Sequence, residues 1–184
     1  MKLNPEKIIE KYYQKFPVAY HYLLDHSRAV TQKALKIARA NKKLKPDLKF
    51  IQEAAMLHDI GIFQVYTPQI GCYGQKPYLC HGWEGRKILE KEGLPLHALV
   101  CERHVGVGIS KEEIEKQNLP LPHRNMIPLS LEEKIICVAD KFYSKRDTDK
   151  KLSIDEIIKE LSFYGKDKVK RFQSWLELLG LLKC

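Results

Sequence analysis

The chain has 184 residues, 44% hydrophobic and 30% charged, the make-up of one globular domain with a single substantial core rather than of a disordered or fibrous chain. No apolar run approaches the ~20 residues needed to cross a bilayer. The start, Met1-Lys2-Leu3-Asn4-Pro5-Glu6-Lys7, turns polar too early for a signal peptide, so the expectation is a cytoplasmic protein with no membrane partner. The net charge of +9 would suit an anionic ligand, but the lysines scatter through 33–49, 111–116, 141–151 and 166–170 as on a solvated surface, with no reading helix or aromatic platform for nucleic acid.

Periodicity is helical nearly throughout. Residues 5–16 form a short amphipathic helix with Pro5 in its first turn. After Pro17 a longer helix runs to about Asn41, its apolar stripe reading Ala19, Tyr22, Leu23, His26, Val30, Ala34, Ile37, Ala38. A third helix begins near Pro46-Asp47 and carries Ile51, Ala54, Ala55, His58 and Asp59 before Gly61 stops it. Residues 62–77, with Pro68, Gly71, Gly74 and Pro77, form an ordered loop or small hairpin. Helices follow at 79–92 and 95–105. A second long connection, 106–130, has one helical turn at 111–117. Ser130 and Glu133 are spaced as a capping box opening a helix to about Arg146. A last amphipathic helix, or a pair, covers 153–179. The class is all-α, with no repeat or linker.

The five cysteines, Cys72, Cys80, Cys101, Cys137 and Cys184, are odd in number and form no C-x-x-C pair, against a disulfide framework or a thiolate zinc site. Cys101 and Cys137 read as small core hydrophobes. His26, His58, Asp59, His81, His104 and Asp140 stand apart. Each is a ligand type for a borderline first-row metal. Adjacent helical residues point about 100° apart, so His58 and Asp59 address two sides of one cluster. Asp140 lies at the border of an apolar stripe with Ile136 and Tyr143, where burying an unpaired charge is costly. Taken singly, each has an ordinary explanation: a core histidine, a chance dipeptide, a capping carboxylate. His21 and His97 need only surface or packing roles, and His123 sits in a loop from which it could reach the site.

The order of these residues, a histidine, a His-Asp pair at a helix end, two more histidines and a late aspartate, in an all-helical chain, resembles the HD phosphohydrolase superfamily. The match is to the subset with His-Asp-Ile-Gly, here His58-Asp59-Ile60-Gly61, and spans roughly 20–146. The chain is similar to small stand-alone HD proteins, including the diadenosine-polyphosphate-cleaving type. The resemblance implies a helical bundle of about six to seven helices, one domain over 1–184, with two long loops near the metal site and a helical extension at 153–180. It implies that His26, His58, Asp59 and Asp140 hold one metal and that His81 and His104 complete a second position, with Asp59 bridging. The cyclic-dinucleotide phosphodiesterase branch has a lysine after this tetrapeptide and a later Gly-Tyr-Pro; here Ile62 follows Gly61, and the stretch after His104 reads Val-Gly-Val-Gly-Ile-Ser, which argues against that branch's substrate.

Two divalent transition-metal ions about 3.5–4 Å apart bind phosphoryl oxygens and ionise water, so no side-chain nucleophile is needed; accordingly there is no serine elbow, P-loop or dinucleotide turn. Iron, manganese, nickel, cobalt and zinc all suit this ligand set. The expectation is a phosphohydrolase of a nucleotide or related phosphorylated small molecule, with Asp59 orienting the hydroxide and Asp140 beside it as proton acceptor. Arg28, Arg103 and Lys141, adjoining the ligands in sequence, are candidate phosphate holders, and Tyr66, Tyr73 and Tyr78 candidate base-stacking residues. The alternatives are an HD-fold di-iron oxygenase, with Tyr20 or Tyr22 as its lid, and a catalytically silent nucleotide-binding module.

Overall fold

Asn4 opens the first helix: its side chain accepts from Lys7 N at 3.2 Å, and Pro5 supplies a first residue that needs no donor. The computed structural model describes residues 3–143 and 151–182. Helix α1 is Pro5–Tyr13, and after a turn at Phe16 the long α2 runs Pro17–Ala40. The α2 stripe is buried as expected except at Tyr22, which is partly exposed. α3 is Leu48–Leu57, α4 His81–Lys91, α5 Pro95–Arg103, α6 Lys111–Lys116, α7 Leu131–Lys141, α8 Ile154–Ser162 and α9 Lys166–Leu178. That is more helices than the six to seven expected: α6 is a separate helix with a full Ser110–Glu113 capping box, and the last amphipathic stretch is a pair divided at Gly165, whose φ of +122° suits only glycine.

The connection after α3 is a small hairpin. Strands β1 (Tyr66–Thr67) and β2 (Cys72–Tyr73) pair antiparallel, Tyr66 opposite Tyr73, around a tight turn ending at Gly71. α3 stops at Leu57 rather than running through Asp59. Gly61 is not a left-handed stop, since its φ is −83°. A Cβ there would lie 2.3 Å from both Gly85 N and His81 O, so Gly61 lets the backbone after Asp59 touch α4.

α7 ends at Lys141, short of Arg146, which lies outside the described residues. Ser130 caps it by accepting from Glu133 N at 3.1 Å, but the Glu133 carboxylate turns away to Leu129 N and Arg103, so the box is half made. α2 packs on α3 and α7, α4 on α5, and α8 on α9. Two apolar clusters result. One joins Val30, Ala34, Ile51, Ile135, Phe172 and Trp175; the other joins Ile9, Tyr13, Leu23, Leu57, Ile60 and Leu89. The seam between them crosses α2 between Leu24 and Val30 and α3 between Ala55 and Met56, next to His26 and His58. No described helix is long and apolar enough to cross a membrane.

Candidate metal centre

A helix end leaves its last carbonyls without intrahelical donors, and burying them unsatisfied is costly. His58 is the C-cap of α3, and both it and Asp59 are fully buried. The carbonyls of this corner find partners from across the fold. The His58 Nδ1–H donates to Ala55 O at 2.7 Å, the Cys101 thiol lies 2.8 Å from His58 O, and the Tyr13 hydroxyl donates to Ile60 O at 2.9 Å. His81 opens α4 and donates from Nδ1 to Tyr78 O at 2.6 Å; His104 caps α5 and donates from Nδ1 to Cys101 O at 2.8 Å. In all three the ring is aimed by the carbonyl three residues earlier.

The six expected donors converge, and none is more than 4% exposed. Asp140 Oδ1 lies 3.1 Å from His26 Nε2 and 3.5 Å from His58 Nε2. Asp59 divides its two oxygens. Oδ2 lies 3.5 Å from both His26 Nε2 and His58 Nε2, while Oδ1 lies 3.2 Å from His81 Nε2 and 3.0 Å from His104 Nε2. The ligand atoms of His26, His58 and Asp140, and likewise those of His58, Asp59 and His104, lie within 4.8 Å of one another.

The chemistry of this set fits cations. A ring nitrogen that donates to a carbonyl carries the proton, so in the neutral imidazole the other nitrogen presents a lone pair. With Nδ1 tied to a carbonyl, the neutral forms of His58, His81 and His104 offer Nε2 as the ligand atom on the side of the carboxylate oxygens, and His81 Nε2 lies 3.1 Å from His104 Nε2. Crowded lone pairs of nitrogen and carboxylate oxygen, with the far ring nitrogen tied to backbone, are what a borderline divalent metal requires of its ligands.

The candidate phosphate holders separate. Lys141 Nζ lies 2.8 Å from Asp140 Oδ2, the oxygen turned away from the imidazoles, and its side chain is 18% exposed. Arg28 instead pairs with Glu6 at 2.8 Å on the half-exposed surface between α1 and α2, and Arg103 donates to both oxygens of Glu133. His123 is exposed, 3.9 Å from Glu115. Tyr22 lies parallel to His26, ring centroids 6.2 Å apart, and Tyr78 packs 4.7 Å from His81. Tyr20 reaches Glu10 at the surface, and Tyr66 and Tyr73 stand exposed on the hairpin. Two neighbours were not singled out in the sequence. Tyr143 meets His26 edge-on at 6.4 Å, and its spacing of three from Asp140 was the available signal; for Cys101 there was none.

A family model described as HD domain matches residues 23–144. The chain is 34% identical over 143 residues to an uncharacterized protein of Methanocaldococcus jannaschii, covering 75% of this chain and 74% of that one. It is 33% identical over 141 residues to a tRNA (cytidine(56)-2'-O)-methyltransferase of Thermoplasma volcanium and 30% identical over 123 residues to the like-named protein of Picrophilus torridus. These matches cover 76% and 66% of this chain but only 36% and 31% of the two methyltransferases, so the chain spans about a third of each. Among solved structures, the HD domain of the L. monocytogenes phosphodiesterase PgpH in complex with cyclic-di-AMP superposes with a TM-score of 0.52 at 17% identity, over 95% of this chain and 97% of that one, a likeness of fold.

Proposed function

Because this chain belongs to the HD-domain family, we propose that it is a metal-dependent phosphohydrolase acting on a phosphoester or phosphoanhydride of a nucleotide or related small molecule at a dinuclear centre. One observation carries the reading: Asp59 turns one oxygen to His26 and His58 and the other to His81 and His104, the disposition of a carboxylate shared by two cations. In this reading His26, His58 and Asp140 complete one position and His81 and His104 the other. Two divalent cations bound there would supply Lewis acidity toward phosphoryl oxygens and lower the pKa of water.

The chain's own residues do the rest. The backbone carbonyls of Ala55, Tyr78 and Cys101 hold three imidazoles in the tautomer and direction a ligand needs. Lys141 occupies the outer oxygen of Asp140, leaving Oδ1 turned inward, and its ammonium adds positive charge for a phosphate. Arg28 and Arg103 are left out of the phosphate site in this reading, since they pair with Glu6 and Glu133 rather than with a residue of the donor cluster. Burial of the cluster strengthens every charge interaction within it.

The test is metal analysis of protein purified without added metal, then turnover of a phosphoester panel with manganese, iron, cobalt, nickel or zinc restored. The panel holds nucleoside phosphates, dinucleoside polyphosphates, a cyclic dinucleotide (because the PgpH domain holds one) and a short RNA with phosphorylated ends, because two relatives carry a tRNA methyltransferase name. Metal-dependent release of phosphate or nucleotide is expected. No turnover of any member, with His58→Ala binding metal as the wild type does, would overturn the reading.

A further inference from the structure

We propose that Cys101 is a positioning residue that locks the two halves of the donor cluster to each other, an inference that rests on the two-cation reading. Two atoms of this residue serve the two halves. Its thiol lies 2.8 Å from His58 O and 3.3 Å from Leu57 O, at the corner that carries His58 and Asp59. Its carbonyl accepts the Nδ1–H of His104 at 2.8 Å and thereby aims that ring at Asp59 Oδ1. Cys101 is fully buried, and the sulfur is seated closely: a Cβ on Gly85 would lie 2.5 Å from Sγ.

A thiol is a weak donor, but here it donates inside the core, where no water competes for His58 O. A residue that merely filled the space would anchor His104 through its carbonyl and leave the His58-Asp59 corner to its contacts with Ala55, Tyr13 and α4, with no bond from it to α5. With the thiol, one residue of α5 is bonded both to the His58 carbonyl and to the His104 ring, so the two corners share one frame. Groups that orient metal ligands in this way change affinity by about 10–100-fold when removed.

The experiment titrates Mn(II) into metal-free wild type, Cys101→Ser and Cys101→Ala. Calorimetry reads the number of cations bound and their affinities, and electron paramagnetic resonance reads the exchange-coupled signal of a manganese pair. The wild type and Cys101→Ser, which keeps a donor, are expected to bind two coupled ions. Cys101→Ala is expected to keep one and to weaken the other by about 10–100-fold, with the coupled signal lost. If Cys101→Ala does not fold, Cys101→Thr and Cys101→Val, equal in shape and different in the hydroxyl donor, make the same comparison. The inference is overturned if the donor-less variant binds both ions as the wild type does, or if the hydroxyl variant fails equally. A wild type that never takes up a second ion would overturn the two-cation reading itself, a result separate from any difference among variants.

Discussion

Asp59 and Glu102 are both buried carboxylates, 0% and 3% exposed, yet their surroundings are opposite. Glu102 is met by two guanidiniums, Arg86 and Arg124, which also lie over the Trp83 ring. Its charge is matched by protein, as are those of Glu84, with Lys76 at 2.6 Å, and of Glu113, with Lys168 at 2.6 Å. Asp59 is ringed by four imidazole nitrogens, those of His26, His58, His81 and His104, at 3.0 to 3.5 Å. The first arrangement is complete within the chain and holds the fold. The second gathers metal-ligand atoms at one point, and in the proposed reading the difference separates a structural from a chemical use of burial.

The comparison can be broken in several ways. The largest expected effect is on Asp59→Asn, which should cut metal-dependent turnover by at least ~100-fold while leaving the thermal midpoint of the metal-free protein near that of the wild type, because the amide keeps the shape and hydrogen-bonding capacity of the carboxylate. Scanning calorimetry with an activity assay checks it; a large fall in the metal-free midpoint would make Asp59 a structural carboxylate like Glu102. Next is Gly61→Ala, whose methyl would sit 2.3 Å from two α4 backbone atoms. It should cost about 1–3 kcal/mol by denaturant unfolding and displace His81, lowering metal uptake as well.

Glu102→Gln should show the reverse pattern from Asp59→Asn. Weakening this cluster is expected to cost about 2 kcal/mol, or roughly 4–8 °C in thermal midpoint, discounted because both arginines are partly solvated, with bound metal unchanged by elemental analysis. The smallest effect concerns pH. Burial pushes the Glu113 carboxyl up, but Lys168 and the Ser110 N–H outweigh it and leave it below its usual 4.5. A depressed carboxyl stabilises the fold above its unfolded value and loses that contribution as pH falls through the lower, folded one. Thermal midpoints measured from pH 6 down to 3 should therefore fall less steeply in Glu113→Gln than in the wild type.

What was legible in the sequence is what depends on local spacing. The inward stripe of α2 put His26 in the interior, and the His58-Asp59 pair at a helix end read directly as a corner. Adjacency to a ligand was a poorer guide, because it carries no direction. Lys141 does reach Asp140, but Arg28 turns out to Glu6, and Arg103 to Glu133, thirty residues on. Gly61 was taken for a helix stop because the actual reason, contact with Gly85 and His81, lies twenty and more residues away. Cys101 read as a core hydrophobe since nothing local shows which carbonyls its thiol will meet. The capping box at Ser130 was half right: the Glu133 carboxylate takes the Leu129 N–H and the distant Arg103 instead of the Ser130 N–H.

His58, His81 and His104 each take their orientation from a carbonyl three residues back in their own turn. Contacts so short in sequence form with little loop-closure cost, ahead of the packing that gathers α3, α4 and α5. The direction of each ring is thus set within its own turn. A cation bound as proposed would meet three ligands already aimed by bonds that do not depend on it.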